Sequence, residues 1–197
     1  HPKTSLPSVM DFVDTFNKHI ELGEDILYLA LNSKFSGTYQ AALSARDLVL
    51  EENKDANITI IDTLCCTYLQ YVLCKTAKEL ADNNKNIDEI VEVINKMIPQ
   101  TRVYMTVDSL NNLKKSGRVS NASALIGDLL NIKPILEFED GVLKPTGKVK
   151  GLNKAFRTII EEYKEFLVFN MDTFNLGMKM TNNLKRNYVV DIWQDRY

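Results

Sequence analysis

Asp25-Ile26-Leu27-Tyr28-Leu29-Ala30-Leu31 is a short, almost wholly apolar run, and Asn32-Ser33-Lys34-Phe35-Ser36-Gly37-Thr38 after it is polar. Apolar character over so few residues fits a strand buried on both faces, as in a parallel sheet covered by helices. Thr38 to about Glu52 then reads as a helix, and Ile58-Thr59-Ile60-Ile61, ending at Asp62, as the next strand. Strand, loop, helix, strand predicts an α/β fold built on a parallel sheet with flanking helices.

Upstream of this unit, Val9, Phe12, Val13, Phe16 and Ile20 recur at helical spacing. They predict a helix from about Ser8 to Leu22, with Pro7 in its first turn and its end near Gly23. Downstream, helices are expected from about Leu64 to Asn83 and from Ile87 to Ile98. Arg102-Val103-Tyr104-Met105-Thr106-Val107 reopens the strand pattern after Pro99, which places a domain boundary near residue 100. Residues 1–100 form the expected first α/β domain and residues 101–197 the second.

The second domain is expected to hold a short helix around Ser109–Lys114, a turn at Lys115-Ser116-Gly117-Arg118 and a helix near Asn121–Leu130. Ile132–Phe138 and Val142–Lys148 flank Glu139-Asp140-Gly141, and Asp-Gly between two apolar runs predicts a hairpin, hence a mixed sheet. A helix from about Leu152 to Glu165, a strand Phe166–Asn170, a helix from Thr173 to about Arg186 and a strand near Val189–Trp193 complete the reading.

The net charge of −2 excludes a strongly basic nucleic-acid binder, but the charge is unevenly shared. Residues 1–100 carry 9 Lys+Arg against 15 Asp+Glu, and residues 101–197 carry 15 against 11, so the halves stand at −6 and +4. Cys65, Cys66 and Cys74 make neither a disulfide framework nor a CxxC metal pattern, which suits the reducing cytoplasm. No apolar run approaches the roughly eighteen residues needed to span a bilayer, so stable membrane insertion is not expected. The chain opens on His1 rather than Met, as a fragment or processed chain does. His1 and His19 lie in no recognisable motif, which argues against a histidine zinc site and a Ser-His-Asp triad.

Two hydroxyl clusters, Lys3-Thr4-Ser5-Leu6-Pro7-Ser8 and Phe35-Ser36-Gly37-Thr38-Tyr39-Gln40, stand where a loop turns into a helix. Unpaired N–H groups and the dipole at a helix start attract an anion, and Ser and Thr hydroxyls added there hold a carboxylate or phosphate without Lys or Arg. Gly37 beside Ser36 lets backbone N–H groups approach a ligand oxygen. Plain N-capping explains the same residues equally simply. A third reading makes Ser36 a nucleophile, although no GxSxG, SxxK or partner histidine stands ready to activate it. Asp62 is a candidate acid or base, or a cap on the following helix. Cys65 and Cys66 are either thiols of lowered pKa at a helix start or buried packing.

Between Asp108 and Asp128 the charged residues are Lys114, Lys115 and Arg118, and between Asp140 and Glu161 they are Lys144, Lys148, Lys150, Lys154 and Arg157. Such acid-free stretches are solvated surface or a site for a phosphate-bearing partner. Aromatic residues do not alternate with them as a nucleic-acid reader requires. Ala122–Gly127 and Leu129–Leu136 are apolar enough for core or for the wall of a tunnel.

Lys3–Ser8, Phe35–Gln40, Leu113-Lys114-Lys115-Ser116-Gly117-Arg118-Val119-Ser120 and Leu129-Leu130-Asn131-Ile132-Lys133-Pro134-Ile135-Leu136, with Asp140-Gly141 after them, resemble the DegV family in order and spacing. Ile61–Thr67 matches that family's Asp-Ser region. The resemblance implies a bacterial protein that binds a long-chain fatty acid in a buried tunnel between two α/β domains. It implies a carboxylate held by Thr4 and Ser36, with Ser5, Gly37 and Thr38 as further candidates. It implies a partner, the fatty acid kinase catalytic subunit, that phosphorylates the presented carboxylate with ATP to an acyl phosphate. Arg118 is then a candidate for supporting the site or docking the kinase. No cofactor or metal beyond the bound fatty acid is implied, and no catalysis by the chain alone. A stand-alone acyl hydrolase or acyltransferase using Ser36 is the alternative. The family's leading Asp-Ser-Thr strand and closing His and Gly-Pro-Gly segment have no counterpart here, so the second domain is expected to be truncated at its end.

Overall fold

The Asp25–Leu31 run forms strand β1, Ile26–Ala30, and its side chains divide by parity between two layers of helices. In the computed structural model, residues 5–100, 102–107, 110, 117–119, 131–139 and 141–162 are described. β1 pairs in parallel with β2, Ile58–Asp62, from Ile26↔Ile58 to Ala30↔Asp62. Ile26, Tyr28, Ile58 and Ile60 face α1, Val9–Glu21, and α2, Thr38–Glu52. Leu27, Leu29 and Ile61 face α3, Thr67–Asp82, and α4, Ile87–Met97. The period of two thus sends alternate residues to opposite cores, which is why the strand reads as continuously apolar.

On the first face Phe12 and Phe16 of α1 meet Ala41, Ala42, Ala45 and Val49 of α2. The three alanines leave room for the rings, and Phe12 stands edge-on to Tyr28 with centroids 5.2 Å apart. On the second face Leu73 and Ile94 are fully buried with Leu29, Ile61, Cys65 and Ile90. Burying side chains of this size is worth about 1.5–3 kcal/mol each.

The predicted helix ends mostly hold. α1 stops at a Schellman turn in which Gly23, at φ +73°, donates to Ile20 O and Glu24 donates to His19 O. Its start differs: Ser8 is the N-cap, so Pro7 precedes the cap rather than occupying the first turn. Ser8 and Asp11 form a capping box there, with Asp11 N donating to Ser8 Oγ at 3.2 Å and Ser8 N to Asp11 Oδ2 at 2.7 Å. α3 begins at Thr67, three residues later than the sequence suggests, because residues 63–66 are used in a loop.

The chain divides into two units, His1–Ile98 and Pro99–Tyr197. In the second, β3 (Tyr104–Thr106), β4 (Ile132–Glu139) and β5 (Val142–Lys150) form an antiparallel sheet in that order. The mixed sheet expected here is thus antiparallel among these strands, with an isolated parallel bridge from Val119 to Leu143 beside it. β4 and β5 are the predicted hairpin, with Gly141 at φ +74° in its turn. Between Ile135 and Leu136 the register shifts, because Thr146 is an extra residue on β5. Helix α5, over 152–162, covers one sheet face through Ala155 and Ile159 on Ile135, with Tyr104 and Val149 beside them.

The readings at Ser109–Lys114, Asn121–Leu130, Phe166–Asn170, Thr173–Arg186 and Val189–Trp193 lie outside the described residues, as does Thr4. Among the described residues no helix is long and apolar enough to cross a membrane. Nor, among them, does any group of three His, Cys, Asp or Glu side chains stand where it could hold a metal ion.

Candidate functional site

Where β1 ends, the chain turns through residues 31–37 before entering α2, so the start of α2 lies at the carboxyl end of the parallel pair. In parallel α/β sheets this end collects ligands. Gly37 is the N-cap of α2 and has no side chain to offer, so Ser36, one residue earlier, does the capping. Thr38 N donates to Ser36 Oγ at 3.3 Å, and the Ser36 and Thr38 hydroxyls share a hydrogen bond of 2.6 Å. Thr38 is buried and Ser36 half-buried. Ala41 is the first residue of α2 whose N–H reaches back four residues, to Gly37 O. The amides of Tyr39 and Gln40 therefore precede the helix's own ladder and point out of its end.

The two helix starts singled out by their hydroxyls are not equivalent. At α1 the Asp11 carboxylate occupies the end of its own helix, and its bonds to Ser8 hold its pKa below the usual 3.8. At α2 no acidic residue stands in the first turn. An incoming anion is repelled at the first and meets an uncompensated dipole at the second.

Segment 5–8 nevertheless adjoins the α2 start. Leu6 lies against Gly37, whose Cβ, if present, would stand 3.3 Å from Leu6 Cδ2. Ser5, exposed, immediately precedes Leu6. Of the sequence-predicted residues, Ser36, Gly37 and Thr38 stand together at this helix end, and Ser5 is one residue before the Leu6 that covers Gly37. Gly37 has an ordinary φ of −71°, and the atom nearest to a Cβ there is a side-chain methyl of Leu6. Arg118 belongs to the second unit and is exposed, next to Gly117 at φ +71°.

Asp62 is not the cap of α3, whose N-cap is Cys66. Asp62 Oδ1 accepts from Ser33 N at 3.1 Å and from Leu64 N at 3.1 Å, tying together the loops after β1 and β2. Cys65 is buried, and desolvation pushes its thiol up to about 11, the opposite of a reactive thiolate. Cys66 is also buried, so packing explains the pair, whereas Cys74 is exposed on α3.

Sequence reasoning overlooked Asn32. It is fully buried, its Oδ1 accepts from Lys34 N at 2.9 Å, and its Nδ2 donates to Leu64 O at 3.3 Å. The signal was present: Asn directly after an apolar strand, with Ser-Lys following, is the pattern of an Asx turn. In the second unit, Lys150, Lys154 and Arg157 line an open depression of about 940 Å3 together with Glu161 and Glu162, so the acid-free stretch is balanced in space by the acids that follow it.

The family model of the DegV family, described as uncharacterised proteins, matches residues 1–178. The chain belongs to the DegV family. A DegV domain-containing protein of Streptococcus pyogenes is 40% identical over 166 residues, which cover 84% of this chain and 58% of that protein. This chain therefore spans somewhat under two thirds of the length of the curated DegV relatives it matches. Among solved structures, a stearic-acid-binding protein from Eubacterium ventriosum superposes with a TM-score of 0.77 at 30% identity, over 85% of this chain and 57% of that one. A fatty-acid-binding DegV protein from Streptococcus agalactiae gives 0.74 at 32% identity, over 84% and 58%. The α/β architecture is the DegV fold, and these solved DegV relatives are fatty-acid-binding proteins.

Proposed function

We propose that this chain binds a long-chain fatty acid and holds its carboxylate at the start of α2. The observation that carries the reading is the arrangement around Gly37: the paired hydroxyls of Ser36 and Thr38, the outward amides of Tyr39 and Gln40, and segment 5–8 packed against them, with no acid in the turn. Ser36 Oγ and Thr38 Oγ1 can each donate an O–H to a carboxylate oxygen once their mutual bond opens. Thr4 and Ser5, from the segment that leads into Leu6, are the further hydroxyls assigned to the carboxylate in this reading. The tail supplies most of the affinity, at about 0.8 kcal/mol per buried CH2, so a head site of neutral dipoles suffices. Fatty-acid binding in the related structures supports the same reading.

The carboxylate so held is presented to a fatty acid kinase, which transfers a phosphoryl group from ATP to give the acyl phosphate, and Arg118 serves the docking of that kinase. In a stand-alone acyl hydrolase Ser36 would need a base to take its proton. Here Ser36 Oγ bonds to the Thr38 hydroxyl, and His19 pairs with Glu24 at 2.7 Å. Mass spectrometry of organic extracts of the purified protein tests the reading: a stoichiometric long-chain fatty acid is expected. A bound small anion in its place, or acyl-ester turnover without a kinase, overturns it.

A further inference from the structure

We propose that Asn32 is the positioning residue of the head-group site, fixing Ser36 before any ligand arrives; this rests on the fatty-acid reading above. Asn32 acts through four separate groups. Its backbone O accepts from Phe35 N at 3.0 Å and Ser36 N at 3.1 Å, which sets the path of the chain into α2. Its Oδ1 accepts from Lys34 N and closes the turn between. Its Nδ2 donates to Leu64 O, and its own N–H donates to Cys65 O at 3.0 Å, so the turn is anchored to the neighbouring loop rather than free to swing.

That anchor is itself held rigidly. Leu64 has φ +52° and Thr67 φ +53°, a left-handed conformation that side-chain-bearing residues rarely adopt, so something must hold the loop there. Leu64 is gripped at both ends, its N–H on Asp62 Oδ1 and its C=O on Asn32 Nδ2. Asp62 Oδ1 also takes Ser33 N, and Thr63 Oγ1 donates to Ala30 O at 2.7 Å. The two loops after β1 and β2 thereby act as one body, with the Asn32 side chain joining the Ser36 turn to Leu64 O. Its complete burial means that no solvent can replace a lost partner. A preset Ser36 acts on the ligand's head, and a charged carboxylate gains more from its hydroxyl than a neutral alcohol does.

The test compares palmitic acid with hexadecanol, equal in tail and different in head, by displacement of a fluorescent fatty acid from wild type, Asn32→Ala, Asn32→Ser and Ser36→Ala. Asn32→Ser keeps a local acceptor for the Lys34 amide but cannot reach Leu64 O, which makes it the milder variant. Both Asn32 variants are expected to lose about tenfold in palmitate affinity while hexadecanol affinity holds. Equal loss for acid and alcohol would mean a merely structural role and overturns the inference. Selective loss in Ser36→Ala but not in the Asn32 variants overturns it while leaving the head-group reading intact. No loss in Ser36→Ala removes that reading itself. Should the variants not fold, hydrogen exchange on the wild type decides: the Phe35 and Ser36 amides are expected to be protected without ligand, and protection arising only with palmitate overturns the inference.

Discussion

The Leu6 side chain covers Gly37 so closely that a Cβ on the glycine would stand 3.3 Å from Leu6 Cδ2. Since Gly37 has a φ open to any residue, Gly37→Ala should change stability by no more than about 1 kcal/mol. Fatty-acid affinity should fall more noticeably, because the Leu6 methyl must shift by a few tenths of an ångström at the α2 start. Introducing Leu6→Ala alongside it should recover part of that affinity, and a double-mutant cycle on titrations and melting curves measures the coupling.

Ser36→Ala and Thr4→Ala should each weaken fatty-acid binding by about tenfold, the worth of one hydrogen bond to a charged group. Titration with a fluorescent fatty acid reads the effect directly. Unchanged affinity in both single variants and in the double variant would refute the head-group assignment.

Arg118→Glu should reduce acyl-phosphate formation by an added kinase more than it reduces lipid binding. The exposed position of Arg118 beside a glycine turn motivates this. Parallel decline of both activities would count against a docking role.

Thr106 is 1% exposed, and its hydroxyl finds no hydrogen-bond partner among the described residues. Thr106→Val keeps the shape and removes the orphan, so it should stabilise the protein by about 1 kcal/mol. A higher urea midpoint with an unchanged slope is the expected signature.

The capping boxes at Asp11 and Glu89 make stability depend on acidity. The bonds of Asp11 to Ser8, and those of Glu89 to Lys85 and Asn86, hold both carboxyls below their ordinary values of 3.8 and 4.5. A group whose folded pKa is depressed contributes fully above its unfolded value and loses that contribution as pH falls through the folded one. Urea midpoints should therefore be flat from pH 7 to about 5 and fall below about 4, and Asp11→Asn with Glu89→Gln should flatten that fall.

How much of this was legible beforehand depended on whether side-chain chemistry carried the information. The apolar run at Ile26–Ala30 and the alternation along Ile58–Asp62 determined the parallel pair, and Asp-Gly determined the hairpin, because burial and turn chemistry are written in residue type. The start of α3 was misplaced because Leu64 and Thr67 hold left-handed backbone that nothing in Leu or Thr announces. Pro7 misled for another reason: the Ser8–Asp11 box starts the helix two residues after it. At the site, hydroxyls at Ser36 and Thr38 were visible, whereas the roles of Asn32 and Asp62 depend on partners from a distant part of the chain, Leu64 for Asn32 and Ser33 for Asp62.

With Cys65 and Cys66 enclosed and Cys74 open to solvent on α3, the native chain offers a maleimide dye a single attachment point. Burial raises the Cys74 thiol too, so coupling will go best in mildly alkaline buffer.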